Sequence, residues 1–324
     1  VAQSVFVFLA GATAGSYRKY DPTTLVQDGI EVTFPASPQI ITTSFPVTDP
    51  GAIYASSHNN DVLFRLDYSS ETLTRSTISG DAVSNPSQLV ADGDDLWLPI
   101  SSPDAIVKYD KATLTATTSV ATDHSRRAVY VDPYIWLWDN APLAVKVIDP
   151  SAGTVVTTQT VKTGSRTPGA SVHYNGHVYV TERLSGTGGL YKVDDSTYSL
   201  VTERATFRSD AMVEIGGDLY AVLENNGDFV KVDASTLSTT ATISGSYATR
   251  ALAHNGVDTI WLADDTLDEL HKIDLGTFSV IETGALGTID EVTAIVLAET
   301  EAPFTPGPRG VGGWGVGETK DEQW

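Results

Sequence analysis

The chain has 324 residues, with 41 acidic against 20 basic side chains and a formal net charge of −21 at pH 7. A surface of that sign repels phosphate over a wide area, which argues against nucleic acid as a partner. A hydrophobic fraction of 41 % marks a globular chain in which no apolar run approaches the ~20 residues of a membrane span, and the lack of cysteine removes disulfides, thiolate catalysis, zinc-thiolate sites and iron–sulfur clusters together.

The first predicted element is VFVFLA, Val5–Ala10. The opening VAQSVFVFLAGATAGS has the small and apolar residues of a secretion signal. It lacks a basic leading region, however, and its apolar run is short for one, so it reads as a strand. Further along, a strand ending in Asp, a short Ser/Thr-rich turn and an apolar residue recur seven times, as YRKYDPTTL, LFRLDYSSETL, IVKYDKATL, VKVIDPSAGTV, LYKVDDSTYSL, FVKVDASTL and LHKIDLGTF. The anchors are Asp21, Asp67, Asp110, Asp149, Asp194, Asp233 and Asp274, at intervals of 46, 43, 39, 45, 39 and 41 residues. That is the period of a four-stranded propeller blade.

Each repeat reads as four strands. In the fifth, GASVHYNG ends at the hairpin pair Asn175-Gly176, and HVYVTER, GLYKVD and SLVTERAT follow. The repeated Asp suits a turn former whose carboxylate bonds nearby backbone N–H groups. The second strands carry Trp97, Trp136, Trp138 and Trp261 in phase with the repeat, which points to burial between sheets more than to a sugar platform. The first copy begins at its second strand, and EVTAIVLAE (291–299) has the pattern of the missing inner strand. The expected fold is therefore all-β: a seven-bladed β-propeller of four-stranded blades over residues 1–299. It is closed by a C-terminal strand that completes the first blade and removes a sheet edge.

Units such as HVYVTERLSGTGGLYKVDDSTYSL resemble the YVTN-type and quinoprotein-like repeat propellers over about residues 4–299. No Gly-His…Trp-Asp pairs recur at the blade period, so WD-repeat features are absent. The resemblance implies architecture; propellers of this group include enzymes, binding modules and structural parts.

Residues 300–324 form a Gly/Pro-rich tail, with six Gly and three Pro among its last 24 residues. Such a segment packs nothing by itself. Phe304, Trp314 and Trp324 are its candidate anchors on a partner subunit, because rigid aromatics are enriched at interface hot spots.

One face of a propeller gathers the loops between second and third strands and the links between blades. The loops contribute His58, Asn59, Asn60, Asp61, Asp104, Asp139, Asn140, Glu182, Arg183, Glu224, Asn225, Asn226, Asp264 and Asp265. Glu182, Glu224, Asn225 and Asp264 are the candidate metal ligands, with Ca²⁺ as the ion, because it favours several oxygen donors. Lactonase-type propellers use a donor set of this kind, and a bound ion would polarise an ester or lactone carbonyl, with His58 or a carboxylate as base. The links add Arg126 and the ring Arg127, Arg166, Arg208 and Arg250, which would either clamp an anion or pair with the carboxylates and seal the blades. No catalytic residue is assigned. The six His form no metal-binding HExxH pair, no Gly-x-Ser-x-Gly occurs, and GGWGVG follows no strand.

The expected function is a non-enzymatic structural or interaction propeller in a larger assembly, a virus particle or extracellular appendage. Protein subunits would hold it by the tail, leaving the loop face for a glycan or receptor. The alternatives are a Ca-dependent lactonase- or esterase-like hydrolase and a glycan-binding module using Tyr134, Tyr174 and Trp138.

Overall fold

A computed structural model describes residues 3–10, 15–29, 31–33, 47–49, 51–57, 62–68, 70, 72–78, 88–101, 104–123, 125–140, 142–164, 166–184, 188–245, 247, 251–287 and 291–299. Seven antiparallel sheets of four strands follow one another along the chain. Blade 5 sets the pattern: inner strand Thr167–Tyr174, second His177–Leu184, third Gly189–Asp194 and outer Leu200–Ala205. Its first hairpin turns at Asn175-Gly176, both at positive φ (46° and 73°), as a two-residue turn with primed geometry requires.

Blade 1 differs in origin. Its second strand is Gln3–Ala10, and the inner place is filled from the other end of the chain by Glu291–Glu299. The two pair antiparallel, Ser4 opposite Ala298, Val5 opposite Leu297 and Phe6 opposite Val296, with a bulge between Phe8 and Leu9. The apolar opening is thus a propeller strand, and the ring closes as its sequence pattern predicts.

The core lies between blades. Seven apolar clusters of described residues each join two neighbours, including the closing pair of blades 7 and 1. Strand alternation produces this: Val5, Val7 and Leu9 pack towards blade 7, whereas Phe6 and Phe8 pack towards blade 2. Trp97, Trp136, Trp138 and Trp261 all belong to these clusters. Trp138, considered above as a glycan contact, is fully buried, because its place in the second strand points it at blade 5.

The repeated Asp closes the third hairpin. Asp233 Oδ1 accepts the N–H groups of Ser235 (2.9 Å) and Thr236 (2.7 Å) and both of their hydroxyls. Asp21, Asp110, Asp149, Asp194 and Asp274 bond in the same way. These bonds favour the ionised form; the Ser235 hydroxyl and the Thr236 amide hold the Asp233 carboxyl down at about 2. Blade 2 differs: the Asp67 carboxylate accepts from Arg65 Nε and Nη2.

Four residues after each of those six aspartates the chain enters the left-handed region, at Leu25, Leu114, Gly153, Tyr198, Leu237 and Phe278, with φ from 47° to 63°. Only one of the six is Gly. Leu25, Leu114 and Leu237 accept the strain because their side chains plug the inter-blade core. Leu237→Ala is expected to cost about 2–4 kcal/mol in denaturant unfolding. Leu237→Gly will cost no more than the alanine variant, although it buries less, because glycine takes φ > 0 without the steric penalty.

In blades 3 to 7 the outer strand carries a bulge just after this turn, which leaves Thr117, Val156, Val201, Thr240 and Ile281 without a register partner. Val156, Val201 and Ile281 are among the exposed large apolar residues for this reason. A bulge twists an open edge and discourages pairing with another chain.

Candidate functional site

The ends of the second strands bring an acid to the same place in four blades: Asp139, Glu182, Glu224 and Asp264. Each is held differently. Asp139 in blade 4 is buried and accepts from Lys146 Nζ at 2.5 Å. Glu182 in blade 5 is 0 % exposed; both of its oxygens accept from Arg166 Nη1 at 3.0 Å, and Tyr191 OH donates to Oε2 at 3.0 Å. Burial and the adjoining carboxylate push the Tyr191 phenol up, so it stays a donor.

Arg166 lies just before the inner strand of blade 5, and its own N–H donates to the Asn140 carbonyl of blade 4. One residue therefore ties two blades. Arg208 repeats the device one blade on: Nε donates to the Arg183 carbonyl of blade 5 (3.1 Å) and Nη2 to Glu224 Oε2 of blade 6 (3.0 Å). The backbone reinforces it, with Ser209 N–H on the Glu182 carbonyl and Glu224 N–H on that of Arg208.

Asp210 joins these groups into one cluster. It is almost wholly buried, with Arg183 Nε 3.0 Å from Oδ2 and Arg127 Nη2 3.6 Å from Oδ1. Arg127 comes from blade 4 and Asp210 precedes the inner strand of blade 6, so this contact reaches across blade 5. Asp210 was not among the sequence candidates. Its signal was present: in FRSDAM an acid follows the arginine by two residues, as it does after none of Arg127, Arg166 and Arg250.

Glu224 is the carboxyl most perturbed upward. Burial and the neighbouring Asp210 carboxyl raise it to about 7, against the opposing pull of Arg208 and Arg183. The folded state therefore holds a proton there that the unfolded chain has released, and stability falls as pH rises from about 4.5 to about 7. Glu224→Gln removes that loss. It should unfold at a higher temperature than the parent at pH 8 and match it at pH 4. Thermal unfolding at the two pH values checks this.

Asp264 is also fully buried. Its Oδ1 accepts the N–H groups of Thr266 (2.8 Å) and Leu267 (3.3 Å), whereas Oδ2 has no hydrogen-bond donor among the described residues. Asn225 is exposed beside Glu224. Among the described residues no three His, Asp or Glu side chains are grouped so as to hold a metal ion. The side chains of Arg126, Arg250 and His58–Asp61 fall outside the described residues, as does the tail with Phe304, Trp314 and Trp324.

No protein-family model and no curated protein sequence matches the chain. Solved structures do match. Apo AztD from Citrobacter koseri superposes with a TM-score of 0.61 at 12 % identity, covering 91 % of this chain and 98 % of that one. BamB from Moraxella catarrhalis gives 0.57 at 14 % identity, covering 89 % of each. A chain of the nidogen/laminin complex gives 0.57 at 11 %, covering 93 % of this chain and all of the other. At such identities the likeness is one of fold: the chain is a seven-bladed β-propeller similar to AztD and BamB.

Proposed function

We propose that this propeller is a non-enzymatic interaction component of a larger assembly, a virus particle or an extracellular appendage. Residues 300–324 anchor it to a neighbouring subunit, and the mouth face is left for a receptor or glycan. One observation carries this reading: the acids available for chemistry at the mouth are engaged in construction. Glu182 and Glu224 tie blades through Arg166 and Arg208, and Asp264 caps its own turn. A rigid disc with a stapled rim suits presentation of loops, and a propeller of this shape occurs in the nidogen/laminin complex. Within the fold, we place the repeats beside the YVTN-type and quinoprotein-like propellers.

Deleting residues 301–324 and measuring incorporation into the parent assembly tests the reading. Loss of incorporation is expected; unchanged incorporation overturns it. The second reading, a Ca-dependent hydrolase of esters or lactones, is favoured by the buried Oδ2 of Asp264, which has no donor among the described residues. It requires Glu182 and Glu224 to leave their arginines. Calcium titration separates the two: stoichiometric heat, abolished by Asp264→Asn, would favour the hydrolase.

A further inference from the structure

The basic residues of this acidic chain are segregated. Six of the nine lysines lie on third strands: Lys19, Lys108, Lys146, Lys192, Lys231 and Lys272. Of the nine arginines among the described residues, five (Arg126, Arg127, Arg166, Arg183 and Arg208) instead lie at the mouth, at the end of a second strand or at the entry to an inner strand. A planar, always charged fork is the side chain that grips oxyanions bidentately, whereas lysine acts as a point charge.

On the blade 5 side the guanidiniums and acids form one cluster. Arg127, Arg166, Arg183 and Arg208 face Glu182, Asp210 and Glu224. The bonds do not use up the forks. Arg166 donates through Nη1, Arg183 contacts Asp210 through Nε, and Arg208 donates through Nε and Nη2. Among the described residues this leaves Nε and Nη2 of Arg166, both terminal nitrogens of Arg183, and Nη1 of Arg208 without a protein acceptor. All three side chains are between a fifth and a third exposed. The buried Glu182 and Asp210 hold Arg166 and Arg183, and Glu224 holds Arg208, so the three have little side-chain freedom left to lose on binding a ligand.

We propose that Arg166, Arg183 and Arg208 form a binding site for an oxyanion, the carboxylate, sulfate or phosphate group of a ligand at the mouth. Glu224 lies at its edge, facing Asp210, Arg183 and Arg208. A proton on Glu224 frees Arg208 and raises the local positive charge, so the site strengthens as pH falls through 7. The site does not depend on the assembly reading, because the chain lacking residues 301–324 retains it.

Isothermal titration with inorganic phosphate, sulfate and acetate, at constant ionic strength, reads it directly. One saturable site is expected, weakened at least tenfold by Arg183→Gln and less by Arg183→Lys, which keeps the charge and loses the fork. Arg65→Gln, in the third strand of blade 2, binds as the parent does. Should Arg183→Gln fold poorly with Asp210 exposed to fewer cations, the pair Arg183→Gln/Asp210→Asn removes both charges and must show the same loss. Absence of saturation with all three anions, or parental affinity in the folded Arg183 variants, overturns the site.

Discussion

Truncation after residue 290 will leave a chain that does not fold. It removes Glu291–Glu299, the inner strand of blade 1, and with it Val292, Ile295, Val296 and Leu297, all buried. Each such side chain contributes about 1.5–3 kcal/mol on burial, so the four together contribute about 6–12 kcal/mol. Net stabilities are about 5–15 kcal/mol, so the loss is of the same size as the whole. The damage also spreads, because the strand belongs to two clusters: Ile295 and Leu297 seal blade 1 to blade 7, and Ala294 and Val296 seal it to blade 2. Circular dichroism of the truncated chain, with the chain ending at residue 299 as control, checks this. A truncated chain with native strand content and a cooperative transition would show that the ring does not need its clasp.

Glu182→Ala is expected to have the largest effect of any single substitution at the mouth. It strips Arg166 of both its acceptors and leaves Tyr191 OH unpaired inside the blade. Breaking a buried ion pair from one side costs about 3–5 kcal/mol, and the lower end applies here because Arg166 is one-fifth exposed. Removing both partners is different. Glu182→Leu with Arg166→Met leaves no charge to desolvate and is expected to recover most of the loss. Denaturant unfolding of the two singles and the double measures the coupling; additive effects would mean that the pair does not hold the blades.

Much of the architecture was legible because it repeats. The Asp turn is local chemistry, in six blades one carboxylate against amides two or three residues on, so its spacing along the chain marks the third hairpin of those blades. The alternation in VFVFLA and EVTAIVLAE places both strands between two neighbours, and that is enough to close the ring. Partner choice at the mouth was less legible. The repeat predicts where Arg127, Arg166 and Arg208 stand, yet Arg166 and Arg208 reach the acid of the blade they enter, whereas Arg127 reaches Asp210 two blades away. Asp139, the acid of its own blade, is taken by Lys146 from the adjacent strand. Such choices depend on which side chain arrives within 3 Å, and side-chain spacing along the chain does not encode that. The left-handed leucines were invisible for a related reason: Leu25, Leu114 and Leu237 are residues that local preference would place elsewhere, and the packing between blades overrides it.

Ring closure is open to a direct measurement because the chain has no cysteine of its own. Ser4 and Ala298 face each other across the closing pair, and both are small and buried. Facing residues in an antiparallel pair have Cα atoms roughly 4.5–5.5 Å apart, within the span a disulfide bridges. The double variant Ser4→Cys/Ala298→Cys should oxidise to an intramolecular disulfide, seen as faster migration on a non-reducing gel. Ser4→Cys/Val292→Cys, off register by several residues, should remain reduced. Failure of the first pair to link in the folded protein, or equal linking of both, would contradict a propeller zipped shut by its two ends.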